Sequence, residues 1–570
     1  MQAEHEYDVV VVGSGAGGLT AAVTARAHGL TALVVEKTDR YGGSTALSGG
    51  AVWIPNNLYL EEAGRHDTLE NARAYMDATV GDRVPGERKH AYLTRGPEML
   101  RFLRDRTRWV RFEYTPGYSD YYPEAPGGKP EGRSVEPCIV DGRKLGPEFA
   151  RMRRAGLPTY GMTMTSADFG KLNMVTRTWK GKRTAMRVGL RAVGALLTGR
   201  RLLSLGEALI ARLRLSLAEA GGELWLSSPF QDLVVEDGRV TGVTVRRGGR
   251  DVTVRARRGV VLAAGGFSHD QALREQYLPT PTSTEWTHAA EGQTGDTLRA
   301  GQSLGAATDL MGKVWGAPSV PTPDGRLFFL VADRAIPSMM IVDGTGERYA
   351  RESLPYHEFV DRMYERGMPA MDSWMIIDAR AKARYVFVGL FPGQPFPKKW
   401  RESGFLKTGD TPAELAAQIG VPPGRLEAAF KRFNEFARAG KDADFGRGDS
   451  AYDNYYGDPT LPNPNLAPLE KGPFYAVPVV PGDIGTKGGL VTDADARVLR
   501  ADGSAIEGLY ATGNCSSAVT GETYPGPGAT IGPAMTFGYA AATHIATHIA
   551  TRAATVQAAG DEPATQGGTS

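Results

Sequence analysis

The chain has 570 residues, 41% of them apolar and 23% charged, and a formal net charge of +2. That length supports two or more domains with separate cores, and a charge so close to neutral argues against nucleic acid as a partner. The two cysteines, Cys138 and Cys515, lie far apart and in no CxxC spacing, which excludes a disulfide framework, a zinc ribbon and a dithiol redox centre.

The chain enters a strand almost directly after Met1–Glu6, so no secretory signal is expected, and no apolar run approaches the roughly 18–20 residues of a membrane span. A reducing, cytoplasmic setting is the simplest expectation. Tyr7–Val12 is a continuous β-branched run, as in a strand buried on both faces of a parallel sheet. Gly13-Ser14-Gly15-Ala16-Gly17-Gly18 follows, then an alanine-rich helix to about His28, then a second strand, Ala32–Val35, ending at Glu36. This is the βαβ order of a dinucleotide site. Gly13 permits the tight turn, Gly15 the approach of a pyrophosphate, and Gly18 close packing of helix on strand. The helix N-terminus offers N–H groups and positive dipole to phosphates, and Glu36 can accept from both ribose hydroxyls. These residues say that a dinucleotide binds, without choosing between FAD and NAD.

Further along, Leu205–Ala220 reads as a helix, Glu223–Leu226 as a strand, and Val234–Val240 as a hairpin with an Asp237-Gly238 turn. Val260–Gly266 is another buried strand ending in glycines. Residues 315–484 have a different texture, with short strands, many prolines and aromatics, and one helix near Leu426–Ala437. Strand-plus-glycine grammar returns at Gly508–Asn514, and a long helix is expected over Ala529–Ile549, with a frayed tail after Arg552. The expected organisation is α/β: a discontinuous first domain, 1–314 plus 485–570, with a second, α+β domain at 315–484 inserted between its halves.

Thr523–Pro533 carries the most informative motif, Tyr524-Pro525-Gly526-Pro527-Gly528. Proline has no N–H, so Tyr524 and the two glycines are the only backbone donors there. Such a loop can aim the Gly528 N–H and the Tyr524 hydroxyl at one carbonyl oxygen, an oxyanion-hole arrangement. It can equally be a stiff turn before a helix, with Tyr524 packing.

With Gly42-Gly43-Ser44-Thr45 after the second strand and the glycine-terminated segments Gly265-Gly266, Gly295-Asp296 and Gly513-Asn514, the chain resembles the FAD-dependent family of fumarate reductases, succinate dehydrogenase flavoprotein subunits and 3-ketosteroid dehydrogenases. That resemblance implies a Rossmann-like FAD-binding domain carrying an inserted catalytic domain. No second GxGxxG follows a strand, so electrons are expected to reach an external acceptor of the quinone or dye type. The expected FAD contacts at the first unit are Gly13, Ser14, Gly15, Ala16, Gly17, Gly18, Glu36 and Lys37. Gly43, Ser44, Thr45, Ser48, Gly49 and Gly50 come next, then Ala264, Gly265, Asp296, Gly513, Asn514 and Ile531. No histidine or cysteine sits in a flavin-linking context, so non-covalent FAD is expected, and no metal.

The Tyr524–Gly528 segment with Ala529–Gly538 resembles the 3-ketosteroid Δ1-dehydrogenases in particular. Glu347–Tyr356, Asp120–Pro123 and Thr486–Leu490 are similar to segments of the same family. The resemblance implies 1,2-desaturation of a 3-ketosteroid. Tyr524 and the Gly528 N–H would hold the C3 oxygen, Tyr356 would remove a C2 proton, and Tyr121 would hydrogen-bond Tyr356. A phenol of ordinary pKa ≈ 10 needs help to act as a base near neutral pH.

Three rival readings stand beside it. A fumarate-type dicarboxylate reductase has Arg348 and Arg351 to draw on, but the histidine expected near Met311–Pro318 is absent from Met-Gly-Lys-Val-Trp-Gly-Ala-Pro. A 3-ketosteroid Δ4-(5α)-dehydrogenase shares the ketone chemistry, and a non-catalytic flavin protein shares the fold. The region from 124 to 205 reads as an insertion. Between Phe169 and Gly206 it has no acidic residue but nine basic ones: Lys171, Arg177, Lys180, Lys182, Arg183, Arg187, Arg191, Arg200 and Arg201. Met186, Leu190, Val193 and Leu197 share one helical face, with Arg183, Arg187 and Arg191 on another. A basic amphipathic helix of this kind over 171–201 suits peripheral contact with an anionic membrane; the alternative is a helix packed on the first domain.

Overall fold

The computed structural model describes residues 5–155 and 162–560. The β-branched run becomes strand β1 (His5–Val12), whose last five residues are buried. Helix α1 (Ala16–Ala27) buries every residue from Ala16 to Ala25, and strand β2 (Ala32–Val35) is buried throughout. Within 124–205, after short strands at Ser134–Pro137 and Val140–Asp141, the basic stretch forms helices α2 (Ser166–Leu172) and α3 (Trp179–Leu197). Helix α4 (Leu205–Glu219) leads to strand β3 (Glu223–Trp225), and a hairpin turning at Asp237-Gly238, both with positive φ, leads to strand β4 (Arg250–Leu262).

In the second half, strand β5 (Val314–Pro321), helix α5 (Tyr356–Arg366) and strand β6 (Phe474–Thr486) precede strand β7 (Ala505–Ala511) and helix α6 (Ile531–Gly560). Strands β7, β4, β1, β2 and β3 are hydrogen-bonded side by side in parallel. β1 thus has a neighbour on each side, as its unbroken apolar run demands. α1 packs between this sheet and α6, where a Cβ added at Gly538 would lie 2.4 Å from the Gly17 carbonyl oxygen; only glycine permits that crossing.

A second sheet of six strands is antiparallel, in the order Leu327–Phe329, β5, β6, Ser373–Asp378, Met339–Val342, with Lys407–Gly409 also on β6. Its strands fall between Val314 and Thr486. The architecture is α/β, a Rossmann-like sheet with an antiparallel unit inserted between its strands.

Two sequence expectations need correction. The helix at Leu426–Ala437 spans Pro423–Ala439, but it is not alone in 315–484: α5 and Pro412–Ile419 are also helical. Both are short, and α5 buries only Phe359, Val360 and Met363 as apolar periodic positions beyond Tyr356, too few to register. α6 starts two residues later and runs eleven further than expected, through Ala553–Gly560 of the stretch expected to fray. Residues 561–570 of that tail, and residues 1–4 at the start, lie outside the described residues. Among those described, no helix is long and apolar enough to cross a membrane.

Candidate active site

The turn after β1 is built as its glycines require. Gly13 has φ +109°, and a Cβ there would lie 2.3 Å from the Ala263 carbonyl oxygen; one at Gly18 would lie 2.1 Å from the Gly13 oxygen. Gly15, Ala16 and Gly17 then present the first turn of α1 to a cavity of about 1130 Å³. Glu36 closes the end of β2. Its Oε2 accepts from Ser14 Oγ (2.6 Å) and its Oε1 from Thr38 N (3.0 Å) and Oγ1 (2.9 Å), so the carboxylate is fixed before any ribose approaches. Lys37 Nζ is held by Asp296 (2.8 Å) and Thr294 Oγ1 (2.6 Å).

The same cavity is lined by Gly13, Ser14, Glu36, Lys37, Gly43, Ser44, Thr45, Ser48, Gly49 and Gly50, and by Ala264, Gly265, Asp296, Gly513, Asn514 and Ile531. Gly18 is the one expected cofactor residue that does not reach it, being spent on packing α1 against the turn. The hydroxyls of Ser44 and Thr45 are partly committed: Ser44 Oγ accepts from Ala290 N (2.8 Å) and from Gln293, and Thr45 Oγ1 accepts from Ala16 N (3.1 Å). Gln293 also lines the cavity and holds Gly266 N (3.1 Å); no motif pointed to it.

Tyr121, Tyr356, Tyr524 and Gly528 also line this cavity. Their convergence depends on how the Tyr524–Gly528 loop is tied down. Pro525 O accepts from Tyr75 Oη (2.6 Å) and Tyr121 N (3.0 Å), Pro527 O from Ser134 Oγ (2.6 Å), and Gly528 O from Trp53 N (3.3 Å). Gly528 itself has φ +94°, and a Cβ there would lie 2.2 Å from the Ala51 oxygen. Gly528, Tyr356 and Thr530 all lie close enough to the Tyr524 hydroxyl to hold its phenol down against burial, and the Tyr356 and Tyr524 rings are 5.3 Å apart. Behind the loop, Lys487 Nζ donates to the carbonyls of Glu522 (2.5 Å) and Thr523 (3.0 Å) and sits over Trp315, whose ring packs on Tyr524.

Tyr121 Oη donates to Tyr356 Oη at 2.8 Å, and the ring centroids of Tyr121, Tyr356 and Tyr524 are 5.1–5.4 Å apart. Burial pushes the Tyr356 phenol well above its ordinary value, with the Tyr121 hydrogen bond pulling the other way. His357, adjacent in α5, is kept neutral by burial and bonds Tyr122 Oη (3.1 Å). Much of the remaining wall is apolar or aromatic, with Met164, Phe169, Leu172, Val188, Phe329, Val388, Leu390, Phe391 and Trp400, while Arg153, Asn173, Glu285, His288, Arg326 and Asp333 add polar and charged groups. Most are single residues from loops and from α2 and α3, which no spacing rule collects. The arginines a dicarboxylate reading would use are engaged elsewhere: Arg348 pairs with Glu352 and Asp442 (both 2.8 Å), and Arg351 with Asp453 (3.5 Å). Among the described residues, no cluster of His, Cys, Asp and Glu is suited to a metal ion.

A helix N-terminus and a glycine turn lining the same large cavity as a cluster of phenols suit an extended dinucleotide with a substrate beside it. A family model described as FAD binding domain matches residues 8–531. The chain belongs to that family and is a FAD-dependent oxidoreductase.

Within it, the chain belongs to the 3-oxosteroid 1-dehydrogenases: that of Mycolicibacterium smegmatis is 49% identical over 563 residues, 95% of this chain and 97% of the relative. A 4-oxocyclohexanecarboxylate 2-dehydrogenase of Sinomonas cyclohexanicum is 38% identical over 95% of this chain and 93% of its own length. The crystal structure of 3-ketosteroid Δ1-dehydrogenase from Sterolibacterium denitrificans, in complex with 1,4-androstadiene-3,17-dione, superposes with TM-score 0.90 at 41% identity, covering 95% of this chain and 100% of that one.

Proposed function

We propose that the chain desaturates 3-ketosteroids between C1 and C2, with FAD held non-covalently and electrons leaving to an external quinone- or dye-like acceptor. The observation that carries this reading is that Tyr356, Tyr524 and Gly528 line the same cavity as the Gly13–Gly17 turn. Bound FAD supplies a two-electron hydride acceptor. Gly13–Gly17, Glu36, Ser44–Gly50 and Gly513–Asn514 are the residues placed to hold it.

The protein's own groups do the rest. Tyr524 Oη and the Gly528 N–H donate to the C3 ketone oxygen, where negative charge develops as C2 loses its proton. Tyr356 takes that proton, and Tyr121, 2.8 Å away, donates to the phenolate oxygen. With the C2 proton taken by Tyr356, the double bond would be completed by departure of the C1 hydride, for which bound FAD would be the two-electron acceptor. We read segment 315–484, which contributes Tyr356 and much of the apolar wall, as the unit capping the steroid. A small cyclic keto acid, of the kind named for the Sinomonas relative, could use the same three groups. The aromatic and aliphatic walls favour a larger apolar ring system.

The site of membrane contact we propose is α3. Met186, Leu190, Val193, Leu196, Leu197 and Trp179 are between 53% and 82% exposed, while Gly181, Thr184 and Val188 face inward. This is the reverse of a helix packed by its apolar stripe. Exposed Lys180, Lys182, Arg183, Arg200 and Arg201 flank the stripe, as on helices that lie on anionic lipid.

The deciding experiment mixes the holoenzyme anaerobically with androst-4-ene-3,17-dione and a dye acceptor. Flavin bleaching and a product bearing a C1–C2 double bond are expected. A product desaturated elsewhere, or an unbleached flavin, would overturn the reading.

A further inference from the structure

We infer that Arg334 is a positioning residue that sets the electrostatics of proton abstraction: its buried guanidinium, unmatched by a paired carboxylate, holds the Tyr121–Tyr356 pair where Tyr356 can ionise. The inference rests on the reading of Tyr356 as the base. It answers a difficulty that reading creates, because burial drives a phenol away from ionisation and a nearby positive charge is what can reverse that.

Arg334 is 1% exposed. Nε donates to Leu330 O (2.9 Å), and Nη1 to Glu352 O (2.6 Å) and Leu354 O (2.8 Å). These are neutral carbonyls, and Leu354 lies two residues before Tyr356. The Arg334 charge also acts on the phenol of buried Tyr452, whose ring lies 4.7 Å from that of Tyr121. The guanidinium is therefore one phenol removed from the Tyr121–Tyr356 hydrogen bond.

The surrounding charges show why Arg334 differs from its neighbours. Glu352 and Asp442 answer Arg348 and Arg447, and Asp453 answers Arg351. On the far side of Tyr524, Lys487 faces Asp361, Glu522 and Glu358 as well as Lys313. Among the described residues, Arg334 has no such ion pair. The carboxylate that attenuates its field is its chain neighbour Asp333, which turns instead to accept from Val388 N (2.8 Å) and is pushed up to about 6 by burial. A buried cation left this way acts across a low-dielectric gap, where its effect on a neighbouring phenol is largest.

The test is carried out on FAD-loaded protein, following tyrosinate formation by ultraviolet difference titration and the pH dependence of kcat/KM with androst-4-ene-3,17-dione. In Arg334→Met the lowest-titrating phenol and the acid limb of the rate profile are expected to move up by a unit or more. Activity at pH 7 then falls at least tenfold and recovers toward alkaline pH, which a merely misfolded site would not do. Arg334→Lys, keeping the charge, should stay within about half a unit of wild type, and Asp333→Asn should move the phenol the opposite way, downward.

An unmoved phenol in FAD-replete Arg334→Met overturns the inference. If that variant does not fold, an unmoved phenol in Asp333→Asn overturns it. Tyr356→Phe separates the two claims. If it fails to remove the lowest-titrating phenol, the base assignment falls; if it removes it while the arginine variants change nothing, only the role of Arg334 falls.

Discussion

In the proposed mechanism Tyr356 and Gly528 act by opposite means, one by taking up a proton, the other through a side chain it lacks. Replacing Tyr356 with Phe should lower kcat by about 10²–10⁴-fold, the usual range for a general base, with FAD content unchanged; stopped-flow flavin reduction reads both. Gly528→Ala places a methyl 2.2 Å from the Ala51 oxygen at φ +94°, so the loop must shift and the N–H swings off the ketone. The expected loss is about 10²–10³-fold in kcat, as for removal of one oxyanion donor, checked by steady-state kinetics. Gly13, Gly15 and Glu36 were legible because their jobs are set by spacing within one βαβ unit. Arg334, Asp333, Tyr452 and Gln293 were not, since each matters only through neighbours far away in sequence.

The elements divide in a similar way. β1, α1, β2 and the helix at 205–219 follow from runs and periods that one element carries by itself. Helix α5 eluded the periodicity because it is short and charged, although it positions both Tyr356 and His357. Helix α3 was legible as amphipathic, yet the direction of its apolar face was not, because a stripe of Met, Leu and Val reads the same whether core or lipid covers it. The structure turns it outward, and the basic face that was expected to line the other side is partly inward: Arg187 and Arg191 pair with buried Asp168 of α2. Met186→Glu with Leu190→Glu is therefore expected to weaken co-sedimentation with anionic liposomes by tenfold or more. Turnover of dissolved substrate should stay unchanged, since neither side chain lines the chamber.

At the scale of the whole molecule, the buried Arg348–Glu352–Arg447 cluster ties the segment leading into Tyr356 to the loop at Arg447, within the inserted unit itself. Desolvation alone would raise the Glu352 carboxyl, but Arg348 and Arg447 outweigh it and hold it at about 2 against an ordinary 4.5. A depressed carboxyl contributes stability that is complete above its unfolded value and is lost as pH falls through the folded one. The structure should therefore lose on the order of 3 kcal/mol between pH 4.5 and 2 from this group alone. Glu352→Gln should flatten that slope in acid-unfolding curves followed by circular dichroism, while lowering stability at neutral pH. The α/β class and its inserted second unit could be read from the chain because strand grammar changes near 315 and returns near 508. The single cavity shared by the glycine turn and the phenols could not, because no local pattern encodes which loops face each other.

Helices α2 and α3 together present two apolar faces. Phe169, Leu172 and Val188 look into the chamber, and Met186, Leu190 and Val193 look out of the molecule. If steroid binds against the inner face and lipid against the outer one, as proposed, thermodynamic reciprocity ties the two together. The factor by which saturating steroid changes the affinity for liposomes must equal the factor by which liposomes change the affinity for steroid. Two independent titrations of one protein should give the same number, and a ratio of one in both would mean that the hairpin transmits nothing.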